Sequence, residues 1–328
     1  MRDAGYMTIG HFQGAWPSTF INLDQGYNIL FHRGIPIYKP FKTLDDAIMS
    51  LYNAVRAIVE EKFLLESSVM TDQAIRYIRE NAQSGPFFLH VAWNYTHDPY
   101  EPPKEFRNKF IRQNEISEAS KKIAMYDAEI NFVDYHVGRV IRALEKNGLL
   151  DNSWIILFAD HGEELARKHE DGRVLWGHSN WVYDSSVNIP LIIRPPNNMA
   201  LSPHQIDSVV ESVDITPTIL TITGLDTAGL DGFSLEPFFR GESRTKKWAY
   251  SVARAYDGEL ESSLSIRTNE WRYIETYYGP NKFVGELYHH DPNCYDELNN
   301  LYNKYPDIVE ILSEKLRHWQ SPESIMVK

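Results

Sequence analysis

A run of apolar residues ends in side chains that can bind a metal ion. Residues 154–159 read Trp-Ile-Ile-Leu-Phe-Ala, and Asp160, His161 and Gly162 follow directly. The run predicts a strand buried on both faces of an α/β sheet, and such sheets bind ligands at the carboxyl ends of their strands. Because carboxylate and imidazole both coordinate divalent cations, the segment predicts metal ligands. A turn that only caps the next helix is the alternative.

Strands that alternate with helices predict the framework around this segment. We expect an α/β fold with a mostly parallel central sheet and helices on both faces over residues 1–244. Short strand-like runs around 249–253, 264–267 and 271–275 and a last helix at about 306–319 predict a small antiparallel sheet with a packed helix over residues 245–328. The strands expected in the first part are 87–93, 154–158 and 187–194, and the helices expected there are 43–82, 118–147 and 212–220.

Local patterns predict which side chains lie inside and which outside. An apolar stripe on the helix 118–147 predicts its core face. Residues 162–180 are rich in charge, which predicts an irregular loop with His169 in solvent. Arg254 and Arg267 are expected at the surface. The stripe consists of Ile130, Val133, Val137, Val140 and Leu144.

Composition narrows the class of protein. The chain has 328 residues, of which 43% are hydrophobic, so a sizeable core is expected. The net charge of −12 argues against a general binder of nucleic acid or anionic membranes, although a bound cation could still attract a small anionic ester. We expect no membrane span. The first residues do not resemble a signal peptide, so we expect a cytoplasmic protein only if the chain is expressed as given.

Several separated motifs follow one another along the chain. Pro86-Phe87-Phe88-Leu89 leads to His97-Asp98-Pro99-Tyr100, and Asp160-His161-Gly162-Glu163 follows later. Gly177-His178 precedes Pro190-Leu191-Ile192-Ile193-Arg194. In this order the motifs resemble the sulfatase family of the alkaline phosphatase superfamily. Residues 213–225 resemble the next helix of that family, and residues 266–301 resemble its C-terminal subdomain.

The resemblance implies a metal-dependent ester hydrolase. It assigns Asp160 and His161 to the metal, and His97 and His178 to the substrate oxygens or the leaving group, as hydrogen-bond donors or general acid. Ca²⁺ or Mn²⁺ is the expected cation, with Zn²⁺ and Mg²⁺ as alternatives. Glu163 and Glu164 are expected to support the ligands rather than bind the metal. No further cofactor-binding residue is predicted.

The chain also departs from the family pattern. Sulfatases begin with a strand that ends in paired aspartates, followed by a Cys-x-Pro-Ser-Arg segment whose cysteine becomes formylglycine. Neither is present, and the single cysteine, Cys294, lies in another motif near the end. We therefore expect the chain to lack the family's N-terminal segment, with Met1 an internal methionine. A partner chain or the missing segment would complete the sheet, and formylglycine is expected only in a full-length form.

Three functions stay open at this point. The first is hydrolysis of sulfate esters by the full-length form. The second is hydrolysis of phosphonate monoesters or phosphodiesters, because Asp160-His161 resembles the branch of the superfamily that cleaves them. Many sulfatases have an amide residue in place of His161. The third is a truncated, catalytically silent homologue or binding module.

Overall fold

The chain forms two compact units. The computed structural model describes residues 1–12, 29–32, 35–38, 67–111, 117–169, 172–178, 180–242, 247–254, 262–278, 282–290 and 297–319. The first unit comprises Met1–Ser153 with Pro196–Asn198, and the second comprises Trp154–Pro195 with Met199–Lys328. Among the helices of these described ranges, none has the length and apolar character that a bilayer span requires.

A four-stranded sheet forms the centre of the first unit. Its strands are β1 (Met7–Phe12), β2 (Ile29–His32), β3 (Ile35–Tyr38) and β4 (Phe87–Ala92), in the order β3-β2-β1-β4. β1 runs parallel to both β2 and β4, whereas β3 pairs antiparallel with β2. Gly5, at φ 85°, ends a short 3-10 turn before β1, as the sequence predicts for a glycine stop.

Three helices follow in the same unit: α1 (Ser67–Asn81), α2 (Lys104–Phe110) and α3 (Glu118–Lys146). The predicted helix 43–82 is confirmed over α1, and its earlier residues lie outside the described part. α3 begins where predicted because the Ser117 hydroxyl accepts the Ser120 amide at 3.1 Å.

The core face of α3 agrees with the predicted stripe except at Ile130. Leu144 is buried and the three valines of the stripe are half-buried, but Ile130 is 45% exposed. Glu129, Phe132 and His136 are buried instead. The rings of Phe132 and His136 meet edge to face at 4.5 Å, and Phe106 of α2 packs on Phe132. Aromatic packing against α2 therefore shifts the inward side of the helix at this turn.

The second unit begins with two small antiparallel pairs. β5 (Ile155–Phe158) pairs with β8 (Leu191–Arg194), and β6 (Glu164–Lys168) pairs with β7 (Val174–Gly177). The hairpin β6–β7 replaces much of the loop predicted over 162–180. The strand expected from residue 187 begins at Leu191, because α4 (Asp184–Val187) precedes it.

One expectation about the sheets needs correction. The described strands place only β8 beside β5, and Leu157 and Phe158 are 36% and 39% exposed, so burial on both faces is wrong for these two residues. The α/β class is confirmed, and a mostly parallel central sheet with helices on both faces stays a prediction.

The C-terminal part contains the predicted antiparallel sheet. After α5 (Ile215–Ile222) and α6 (Glu236–Phe239), the strands β9 (Trp248–Arg254), β10 (Ser262–Thr268), β11 (Trp271–Tyr277) and β12 (Phe283–His289) pair in sequence order. α7 (Pro306–Trp319) closes the described chain. The sheet and α7 share a core of buried apolar side chains: Leu264, Ile266, Tyr273, Leu287, Leu312 and Leu316.

Candidate active site

The segment after β5 is bound tightly to the start of α4. The Gly162 amide donates to the Ser186 carbonyl at 2.7 Å, and the Glu163 amide donates to the Ser185 carbonyl at 2.9 Å. A Cβ on Gly162 would overlap the Ser185 carbonyl oxygen. Glycine is therefore required here for close approach of two backbone segments, and this contact fixes where Asp160 and His161 lie.

Asp160 and His161 present two ligand atoms to one point in space. The Asp160 side chain is 87% exposed, and its Oδ2 lies 3.8 Å from His161 Nε2. Asp160 Oδ1 accepts the His161 amide at 3.0 Å. His161 Nδ1 lies 2.8 Å from the Gly162 carbonyl oxygen, an acceptor that favours the proton on Nδ1 and the lone pair on Nε2.

This spacing suits a shared cation. Ligand bonds of about 2.1 Å span up to about 4.2 Å between two donors, so one ion can bind both atoms. Among the described residues, no group of three metal-ligating side chains occurs. Metal binding by Asp160 and His161 therefore stays a prediction.

His178 lies against His161. The two rings stack with centroids 3.9 Å apart and an interplanar angle of 28°. His178 Nδ1 faces both oxygens of Glu163, at 3.3 and 3.4 Å. Since the Glu163 side chain is only 3% exposed, a buried carboxylate orients this imidazole with Nδ1 as the donor.

The structure thus brings three predicted residues together and adds a fourth. Asp160, His161 and His178 share one site in the second unit, and Glu163 supports it, as its position in the sequence led us to expect. Glu164 is fully buried and accepts the hydroxyls of Ser185 and Ser186 at 2.6 and 3.0 Å, so it also holds the segment onto α4.

His97 belongs to the first unit, where it lies exposed on the loop after β4. Its Nδ1 is 2.6 Å from the Asp98 carbonyl oxygen. Its position relative to the residues of the second unit stays a prediction. Glu129, a buried residue that binds this loop, was not predicted from the sequence. The feature that could have indicated it is a carboxylate next to the apolar positions of α3.

A buried ion-pair network lies behind the site in the second unit. The Arg272 guanidinium pairs with Asp184 at the start of α4, and its Nε lies 2.8 Å from Glu297. Glu297 also accepts the Asp184 amide at 2.8 Å. Burial raises the pKa of Glu297 to about 7. The neighbouring Arg272 guanidinium lowers this pKa by a smaller amount.

Two surface expectations are wrong because of this network. Arg267 is 14% exposed and lies 3.9 Å from Asp184, so it is an interior cation. His169 is buried as well, because its ring packs on Tyr183 and its Nδ1 lies 3.8 Å from Glu286. The side chain of Arg254 and all of Cys294 lie outside the described residues.

Comparison with known proteins identifies the family. The family model described as Sulfatase matches residues 1–225, and a second model, for the C-terminal part of N-sulphoglucosamine sulphohydrolase, matches residues 172–322. The first match covers more than half of the chain, and the second overlaps it over residues 172–225, which contain β7, α4, β8 and α5.

Individual relatives agree with these matches. Arylsulfatase K of Bos taurus is 30% identical over 303 residues, which cover 75% of this chain and 54% of the relative. Arylsulfatase K of Homo sapiens is 27% identical over 322 residues, covering 81% of this chain and 58% of the relative. The chain therefore spans a little more than half the length of these relatives.

A solved structure shows the same fold. The phosphonate monoester hydrolase of Agrobacterium radiobacter superposes with a TM-score of 0.71 at 17% identity, covering 97% of this chain and 78% of that one. Likeness at this identity supports the alkaline-phosphatase-like α/β fold alone. The two family models and the arylsulfatase relatives carry the assignment further: the chain belongs to the sulfatase family.

Proposed function

We propose that this chain carries part of the active site of a sulfate ester hydrolase that depends on a divalent metal. The observation that carries the proposal is the convergence of Asp160 Oδ2 and His161 Nε2, with His178 stacked beside them. Membership of the sulfatase family and the arylsulfatase relatives support the reaction class. The substrate is a small anionic ester, whose organic part the site residues do not define.

Each residue has a role in this proposal. Asp160 and His161 hold the cation, for which Ca²⁺ or Mn²⁺ is the first choice, with Zn²⁺ and Mg²⁺ as alternatives. When bound, the cation neutralises negative charge on the ester oxygens. His178, oriented by Glu163, donates a hydrogen bond from its other nitrogen to the ester, and the family resemblance gives His97 the same role.

The proposal gives none of these residues the role of nucleophile. The family uses a formylglycine made from a cysteine, and the 328 residues contain no Cys-x-Pro-Ser-Arg segment. In this proposal the nucleophile and the remaining metal ligands therefore come from a further segment or chain.

We also propose that the α/β part reaches residue 244 with a mostly parallel central sheet and helices on both faces, followed by an α+β subdomain over 245–328. The shared core of β10–β12 and α7 supports this subdomain.

Metal binding by the 328-residue chain is the first test. Elemental analysis and calorimetry with Ca²⁺, Mn²⁺, Zn²⁺ and Mg²⁺ should show binding that Asp160→Ala abolishes. Because this side chain is exposed, the substitution should change the free energy of unfolding by less than about 0.5 kcal/mol. Equal affinity in both proteins would remove Asp160 from the metal site.

A substrate panel then separates the reaction classes. The complete gene product is assayed with 4-nitrophenyl sulfate, bis(4-nitrophenyl) phosphate and an aryl phosphonate monoester. We expect the sulfate to have the highest kcat/KM. A preference for the phosphonate or the phosphodiester would support the second function, for which Asp160-His161 is the argument. No turnover of any ester, with His178→Ala and wild type alike, would support a catalytically silent homologue.

A further inference from the structure

A buried carboxylate on α3 binds the loop that carries His97. Glu129 lies on the inward face of the helix and is only 2% exposed. Its Oε2 accepts the Thr96 amide at 2.8 Å, and its Oε1 accepts the Glu101 amide at 2.6 Å. Both oxygens are therefore used by backbone groups, and the two bonds bracket His97 in the sequence. Burying a carboxylate without such partners costs free energy. The two hydrogen bonds to the loop therefore account for the burial of Glu129.

The loop between the two bonds has a conformation that needs support. Thr96 has φ 86°, which is rare for a β-branched residue and persists only where the surroundings hold it. The bond from the Thr96 amide to Glu129 holds the backbone at this residue. His97 follows at once, and its ring orientation depends on the Asp98 carbonyl oxygen, 2.6 Å from Nδ1. A shift of the backbone at Thr96 would therefore move the imidazole.

Two other α3 side chains contact the same loop, Lys122 at the surface and Tyr126 against the buried Tyr100. Lys122 pairs with Asp98 at 2.6 Å, with both side chains about half exposed. The ring of Tyr126 meets that of Tyr100 edge to face at 5.2 Å. An exposed pair is screened by water and contributes little rigidity. The carboxylate is the buried, doubly bonded contact, so it carries most of the positioning.

We propose that Glu129 is a positioning residue for His97: its two backbone hydrogen bonds hold the loop so that the imidazole keeps one orientation. The inference rests on the proposed function, in which His97 contacts the ester group. Glu129 itself touches neither substrate nor metal and acts only through the loop.

Protonation of Glu129 offers a readout in the wild-type protein. Burial raises the pKa of Glu129 to about 7, against the lowering effect of the hydrogen bonds from the Thr96 and Glu101 amides; the charges of Glu101 and Asp98 raise it by smaller amounts. Lys122 on the same helix is the cation that pairs with Asp98. A protonated carboxyl has one hydroxyl that cannot accept an amide as well as a carboxylate does. The Thr96 and Glu101 amide protons should therefore shift upfield together as the pH falls through about 7.

A double-mutant cycle in the complete gene product tests the proposal. Glu129→Gln keeps the size of the side chain but retains only one good acceptor oxygen, so one backbone bond is lost. We expect kcat to fall about tenfold with KM changed less than about twofold, since an interaction realised in the transition state is lost. Combined with His97→Ala, the substitution should add almost nothing, because both remove the same contribution.

Phe132→Leu is the matched control. Phe132 lies one turn further along α3 and packs on Tyr95 of the same loop at 4.8 Å, but it makes no hydrogen bond to it. This variant should lower the melting temperature and act additively with His97→Ala. Additive effects of Glu129→Gln and His97→Ala would overturn the proposal.

The two proposals fail in distinguishable ways. If His97→Ala leaves hydrolysis unchanged, the role of His97 in the proposed function is wrong, whatever Glu129 does. If Glu129→Gln does not fold, NMR of the wild-type chain decides: Thr96 and Glu101 amides that titrate with one shared midpoint support the two bonds, and amides that titrate independently refute them.

Discussion

Replacing Glu163 with glutamine removes the negative charge beside His178 and changes the shape of the site very little. The Glu163 oxygens lie 3.3 and 3.4 Å from His178 Nδ1, longer than the 2.7–2.9 Å usual for a charge-assisted hydrogen bond. Hydrogen bonds to charged groups contribute about 1.5–3 kcal/mol, and the long distances favour the lower end. A loss of about 1.5 kcal/mol corresponds to roughly a tenfold drop in kcat/KM.

The assay compares kcat/KM for 4-nitrophenyl sulfate in the complete gene product with the melting temperature of the same samples. A buried carboxylate becomes a neutral amide, so we expect stability to be unchanged or slightly higher while activity falls. Nitrogen-15 shifts of the His178 ring report the tautomer, which should remain protonated on Nδ1 in Glu163→Gln and become mixed in Glu163→Ala. Glu145→Gln, on the exposed surface near the end of α3, is the control for loss of one charge.

Two results would refute the reasoning. If Glu163→Gln retains kcat/KM within about twofold, the carboxylate does not orient His178 in the reaction. If activity and melting temperature fall together, Glu163 supports the local fold rather than the imidazole, and the assignment of His178 has to rest on other evidence.

Two further substitutions test the packing that supports the site. Gly162→Ala should destabilise the chain by about 1–3 kcal/mol and weaken metal binding, because the new methyl group overlaps the Ser185 carbonyl. Gly172→Ala, where the space is open but the φ of 86° strains any other residue, should lower stability and leave metal affinity unchanged. Arg272→Met removes the cation between two buried carboxylates and should cost about 3–5 kcal/mol in urea unfolding. Arg240→Met, at an exposed pair, should be indistinguishable from wild type, and equal losses in both arginine variants would contradict the network.

Local pattern was sufficient for several elements and for naming the candidate ligands. The helix α3 and the last helix were predicted to within a residue or two, because a cap and helical periodicity are written in consecutive residues. β4 and β5 likewise follow from short apolar runs with clear ends. The turn residues Asp160 and His161 could be recognised because the strand before them ends abruptly.

Burial of polar side chains could not be predicted in the same way. His169 and Arg267 stand in polar, charged stretches and were expected in solvent, yet both are interior because carboxylates distant in sequence lie beside them. The face of α3 was misjudged for a related reason: rings from α2 meet Phe132, so the inward side is set by its neighbour as well as by its own pattern. The missed strand β12 pairs with β11, and this partner defines its extent.

The sequence by itself determined the family, the identity of the candidate ligands Asp160 and His161, and the order of most helices and strands. Only the tertiary structure decided which groups act on them: Glu163 behind His178, and Glu129 beneath the loop of His97. The physical reason is that a ligand at a strand end is defined by a few consecutive residues. A carboxylate that orients an imidazole or holds a loop is defined by a distance of about 3 Å between atoms that packing brings together.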